Sequence, residues 1–349
     1  MHRNMKAITP IIAIIVLLLI TVAISGAAWT YISGYWSGTV DKQVEVTDAF
    51  CVGTNQAKII VKNIGTSPMS TGDITIINRT SGADLTENVI WASEVALPDS
   101  GMFMHMAFDE GSGPNVRDTA GNNDGVLGDG TCLPGAGTCP GWTSGKMGSA
   151  LSFDGANDYI QMGYAAPALS EFSGNKLTLA VWIKPSSPTG SGMIFLKNGP
   201  SYMYRQGNLI QAGVFNGASW AFFWSTIPLA AGWNHVAMTY DGSIERLYIN
   251  GVPDTTMAQT GNLASDGCAQ IGRYCDSVCG NSPQHYFPGI MDDIRLYTRA
   301  LSEDEIRALA GNARIEPGGT STLTNTCSGR CSYNILLGGR SRTASVDCS

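Results

Sequence analysis

Hydrophobic and polar positions divide this chain into contrasting stretches. Residues 7–40 carry no charge; residues 8–24 are almost wholly aliphatic, and Trp29, Tyr31, Tyr35 and Trp36 follow them. Apolar side chains on every side of a helix exclude a half-buried place on a soluble core. A bilayer core of roughly 30 Å needs about 20 such residues, and residues 8–32 meet that length. A long hydrophobic helix is therefore expected over residues 8–40, with Pro10 in its first turn, where a missing N–H costs nothing. Beyond it the text breaks into short strands and turns. Residues 57–62 alternate partly, residues 63–68 turn, and residues 72–77 read as a second strand. From about 99 to 312, apolar runs at even spacing are separated by Gly, Asn and Asp, as in a two-sheet jelly roll. Ser302 and Glu305 form a capping box, which predicts a short helix running to about Ala310 and stopping at Gly311. The chain reads as mainly β.

Composition narrows the classes. With 349 residues and 44% hydrophobic content, more than one domain fits. Gly 42 and only 14% charged residues favour β-rich structure. A net charge of −7 argues against a nucleic-acid partner. Nine cysteines behind a membrane-targeting stretch indicate an oxidising exterior, and an odd count leaves one thiol unpaired within the chain.

Three readings compete for the apolar stretch. A secretory signal peptide would have a shorter apolar region and a small-residue cleavage site before a polar start, whereas here the run continues into aromatics suited to a membrane interface. A single-pass anchor is the plain reading. The third rests on the junction Lys6, Ala7, Ile8, Thr9 and Pro10. This resembles the class III signal of archaeal type IV pilins and archaellins. The resemblance implies cleavage by a prepilin peptidase between Ala7 and Ile8, leaving residues 1–7 as a leader. It also implies a membrane-held precursor whose freed helix then packs with other pilin subunits in an extracellular filament.

The same family accounts for the flanks. Residues 61–65 resemble a strand–turn of archaeal pilin β-domains, and residues 314–324 resemble the turn and strand that follow it there. The first β segment has too few strands to close a sandwich alone, and residues 333–337 and 342–346 would complete it. The expectation is a small pilin-type β-sandwich split into residues 41–98 and 313–349, with residues 99–312 inserted at an exposed loop. A disulfide between Cys51 and Cys348 would tie the first strand to the last, and Cys327 and Cys331 flank a tight turn as a second pair. Cys132 and Cys139 bound a small loop, and the cluster Cys268, Cys275 and Cys279 would hold the odd thiol. Asn78 opens the Asn-Arg-Thr sequon on a turn, a candidate glycosylation site.

The insert has its own signature. Residues 105–113, 116–125, 150–160, 177–185, 232–242, 247–252, 271–273 and 287–306 follow one another in an order that resembles a laminin-G-like, concanavalin-A-like domain of the pentraxin-related kind. Calcium is a common companion of that family. The Asn/Asp-rich turn supplies the oxygen chemistry calcium needs, so Asp118, Asn122 and Asp124, with Asp292 approaching from the last strand, form the candidate site. The paired acids of the pentraxin-type double site are not retained, since only Asp276 follows Arg273 closely.

Catalysis finds little support. Paired strand carboxylates of the glycosidase type are missing, Glu303, Asp304 and Glu305 open a helix, and the four histidines show no metal-ligand spacing or triad. A glycan face needs stacked aromatics. Tyr202, Tyr204, Trp220 and Trp224 are the candidates, with period two placing Trp220, Phe222 and Trp224 on one face; burial in the core is the favoured alternative. The expectation is a non-enzymatic surface filament subunit with an adhesive or glycan-binding insert. The alternatives are a non-polymerising membrane-anchored lectin and a ligand-free spacer.

Overall fold

The computed structural model describes residues 42–53, 55–86, 90–92, 98–131, 133–162, 174–197, 201–264, 269–274, 284–312 and 314–348. The hydrophobic stretch 8–40 and the Lys6–Ala7–Ile8 junction lie outside them. Among the described residues, no helix is long and apolar enough to cross a membrane.

Strands from the two ends of the chain pair with one another. A four-stranded sheet runs in the order Val44–Val52, Gln56–Asn63, Thr320–Thr326, Ile90–Ala92. A three-stranded sheet runs in the order Arg340–Cys348, Gly329–Leu337, Thr75–Asn78. Register places Ile59 opposite Leu323 and Ile76 opposite Ile335, and these side chains meet Val61, Ile74 and Val346 in one core. Alternation explains the register: in Gln56–Asn63 every second residue from Ala57 is buried, and a slip by one would expose the whole set. Residues 72–77 begin differently from expectation. Ser70 caps a 3-10 turn over Thr71–Asp73, and the strand starts only at Thr75. Cys51 bonds Cys348 and Cys327 bonds Cys331. Cys139 is also disulfide-bonded; Cys132, Cys268, Cys275 and Cys279 lie outside the described residues.

The second body is a jelly roll of two eight-stranded sheets. One contains Leu177–Pro185, Asn234–Tyr240 and the long strand Pro288–Tyr297. Met102–Met106, the first strand of this body, pairs with Pro288–Tyr297, with His105 opposite Arg295, so chain entry and exit are neighbours. The other sheet runs Trp220–Trp224, Leu209–Phe215, Ser201–Gln206, Ser191–Lys197, Ala269–Ile271, Ile160–Met162, Gly125–Leu127, Asn115–Val116. Between the sheets lie Phe195, Met203, Ile210, Val214, Phe223 and Met238, among others.

Leu177–Pro185 and Asn234–Tyr240 lack clean alternation because both their faces are covered. The helix Glu303–Leu309 packs Ile306 and Leu309 on Ala180, Ala237, Tyr248 and Tyr297. That helix starts at the predicted Ser302–Glu305 capping box and gives way to Gly311 at φ +63°, a conformation that suits glycine. Arg299 pairs with Glu305 and holds its carboxyl down at about 2.

Hydrogen bonds join the two bodies at the exit. Thr71 Oγ1 donates to Gly311 O at 2.9 Å, Ser70 Oγ donates to Asn312 Oδ1 at 3.3 Å, and Asn312 Nδ2 donates to Asn250 O. Asn63, fully buried, donates to Ile315 O and Ser67 O and accepts from Gly65 N.

Candidate functional site

The outer face of the second jelly-roll sheet is built by alternation. Met203, Ile210, Ala212, Val214 and Phe223 point into the core, so their neighbours point out. Cross-strand register then sets two rows: Tyr202 beside Gly213 beside Phe222, and Tyr204 beside Gln211 beside Trp224. Trp220 lies opposite Phe215. The rings touch. Tyr202 and Phe222 centroids are 4.9 Å apart, Trp220 and Phe222 are stacked at 5.2 Å, and Phe215 meets Trp220 at 5.5 Å. Tyr204 meets His285 at 5.6 Å.

Gly213 is required here. A Cβ on it would lie 2.6 Å from Ala221 O and 2.8 Å from Phe222 Cδ1, so a side chain would displace the Phe222 ring. Phe222 is 41% and Trp224 38% exposed. The favoured core placement of Trp220, Phe222 and Trp224 is thereby corrected, since Phe223 is the residue of this strand that enters the core. Period two groups residues by face but does not say which face meets the partner sheet.

The calcium candidates do not converge. Asp118 Oδ1 accepts from His105 N and Ala120 N, and its Oδ2 accepts from Asn123 N and Asn123 Nδ2. Asp124 Oδ1 accepts from Asp118 N, while Asn122 is exposed. Asp292 faces a different turn, where Oδ2 accepts from Lys146 N and Met147 N. These carboxylates hold backbone in place, as acids in Asn/Asp-rich turns commonly do. No group of three or more His, Cys, Asp or Glu among the described residues can hold a metal ion. The residues present do not form the calcium cradle that the resemblance implies.

Sequence spacing missed one polar chain. His105 Nε2 lies 2.6 Å from Asp293 Oδ1, His105 Nδ1 lies 2.9 Å from Thr119 Oγ1, and Arg295 Nε also donates to Asp293. Burial would raise the Asp293 pKa, but His105 and Arg295 hold it below the usual carboxylate range. A break in register opposite Ala180 and Trp182 leaves Asp293 with φ 50°; its carboxyl meets His105 and Arg295, while that of Asp292 meets the Lys146 and Met147 amides. Because 188 residues separate His105 from Asp293, no local motif could announce the pair. It clamps the first strand of the jelly roll to the last.

Buried carboxyls with raised pKa values are candidate catalytic acids when they line a cleft. Glu245, pushed to about 8 by burial, and Asp292, pushed to about 7 by burial, are both fully buried. Neither is exposed to a substrate. His235, held near 3 by burial, packs edge-on against Trp182 at 5.2 Å. Asn78 lies at the end of its strand, where its Oδ1 accepts from Thr80 N and Ser81 N.

Residues 154–307 match the family model described as the concanavalin A-like lectin/glucanases superfamily, a laminin-G type. Over that stretch the jelly roll is similar to laminin-G-like, concanavalin A-like domains. Among solved structures, domain 4 of the extracellular arabinanase AbnA from Geobacillus stearothermophilus, in complex with arabinotriose, is 21% identical. That likeness covers 60% of this chain and 98% of the other, with a TM-score of 0.45. A heptameric SAP-like pentraxin from Limulus polyphemus is also 21% identical, over 42% of this chain and 82% of the other, with a TM-score of 0.34. The binding domain of botulinum neurotoxin DC in complex with SialylT is 13% identical over 61% of this chain, with a TM-score of 0.41, and the likeness spans only 51% of that longer chain. Comparison with curated proteins found no match.

Proposed function

We propose that this protein is a subunit of an archaeal type IV pilus-like surface filament, whose laminin-G-like domain projects outward and binds glycan at the cell surface. The exposed aromatic face carries the binding half of this reading. Rings held at sheet spacing give apolar platforms on which sugar rings stack, and the family match fits that use. The filament half is supported by the apolar stretch 8–40, the Lys6–Ala7–Ile8 junction, and the pairing of both chain ends into one small sandwich.

Glycan-array binding tests the first half. Trp220→Ala and Phe222→Ala together are expected to lower affinity at least tenfold, a change of about 1.4 kcal/mol, with the thermal transition retained. Unchanged binding would remove the aromatic face from the reading. Peptide sequencing of the mature chain tests the second half: an N-terminus at Ile8 is expected, and an intact Met1 would convert the filament subunit into a membrane-anchored lectin.

A further inference from the structure

We infer that the ligand of the aromatic face is an uncharged oligosaccharide, held by ring stacking and one side-chain amide, with no metal ion at the contact. This rests on the glycan-binding reading above and adds the ligand's charge class and mode of contact.

The rows across the sheet carry the inference. Extended one strand further, they read Leu196, Tyr202, Gly213, Phe222 and Met193, Tyr204, Gln211, Trp224. Leu196 and Met193 share one apolar cluster with Tyr202 and Tyr204. Neither row contains a carboxylate, an ammonium or a guanidinium. Arg205, next in sequence to Tyr204, is fully buried, and its guanidinium is bonded to Ser187 O instead. Asp254, from the edge strand of the opposite sheet, is held by Thr226 N, Thr226 Oγ1 and Ile227 N.

An anionic sugar laid on these rings would lose hydration from its charge, and neither described row offers a lysine or arginine to replace it. A metal-bridged sugar would need carboxylates beside the rings, and the described rows contain none. A neutral pyranose or furanose carries patches of C–H that can lie on a ring, while its hydroxyls need only neutral partners. Gln211 supplies such a partner. It lies between Tyr204 and Trp224, and its amide is both donor and acceptor.

The test measures affinity of the full chain for two panels. One holds neutral hexose and pentose oligosaccharides; the other holds uronate, sulfated and sialylated ones. Each is measured in low salt, in 0.5 M NaCl and with EDTA. At least one neutral oligosaccharide is expected to bind, with affinity changed less than twofold by salt or EDTA. Trp220→Ala should weaken it tenfold or more, and Gln211→Ala several-fold at an unchanged melting temperature. Binding confined to the anionic panel, or abolished by salt or EDTA, would overturn this inference while leaving glycan binding intact. Binding to neither panel would remove both.

Discussion

The melting temperature of the jelly roll is expected to fall steadily between pH 5 and pH 8, and Glu245→Gln is expected to remove much of that slope. Glu245 is raised to about 8 by burial, and neither of its buried carboxyl oxygens has a hydrogen-bond partner among the described residues. Asp292 is raised to about 7 by burial, with the Asp293 and Asp109 charges adding to it and the Met147 and Lys146 amides opposing. In both, the folded value exceeds the unfolded one. The folded state therefore keeps protons that the unfolded chain releases above about pH 4 to 4.5. Stability is complete below that range, declines as pH rises, and levels off above about pH 8.

At 1.36 kcal/mol per pKa unit, each group contributes on the order of 3–5 kcal/mol to this decline. That is large beside the roughly 5–15 kcal/mol that holds a domain together. Asp293 and Glu305, both lowered, and His235, held near 3, act in the opposite sense and weaken the fold as pH falls, His235 from about pH 6.5 downward. A maximum near pH 5 follows. Calorimetry of the wild type and of Glu245→Gln at pH 5, 6.5 and 8 would decide: a flat wild-type profile sinks the assignment, as does a variant with the same slope.

Removing the Cys51–Cys348 bond should unfold the small sandwich while the jelly roll keeps its own transition. Val44–Val52 and Arg340–Cys348 lie at the edges of their sheets, so each has strand hydrogen bonds on one side only. The disulfide ties these two edges across a sequence separation of 297. Loss of such a bond from a small domain costs about 2–5 kcal/mol, or on the order of 10–25 °C for a body near 100 residues. Cys51→Ala with Cys348→Ala, followed by calorimetry, should show the lower transition shifted or lost and the upper one unmoved. Loss of both transitions together would mean that the bodies unfold as one.

Particular residues show how much the sequence could tell. The Ser302–Glu305 capping box located a helix to within a residue, because both partners are local. The alternation of residues 57–61 marks the near strand of the pair Gln56–Asn63 and Thr320–Thr326, but its distant partner was suggested only by the resemblance of residues 314–324 to a pilin β-domain. The outward aromatics were grouped correctly but placed on the wrong side, because alternation fixes relative facing, not which side meets a second sheet. Asp118 was read for its oxygen chemistry, which serves a backbone turn as well as an ion; only the four donors around it distinguish the uses. The His105–Asp293 pair depends on the first and last strands lying side by side, and nothing near either residue records that.

The jelly roll is joined to the small sandwich by two stretches of chain, one following Ile90–Ala92 and the other preceding Arg314–Ile315. Ile90–Ala92 is paired with Thr320–Thr326, and Arg314–Ile315 with Met69–Ser70. Mechanical load applied to a ligand on the aromatic face would thus divide between two threads anchored at separate places in the small sandwich. Asn312, bonded to both Ser70 and Asn250, adds a hydrogen-bonded link between the two bodies beside the second thread. A domain held at both of its ends shares the pull between two strands anchored in the small sandwich, where the same domain hung from one thread would pass the whole pull to a single strand.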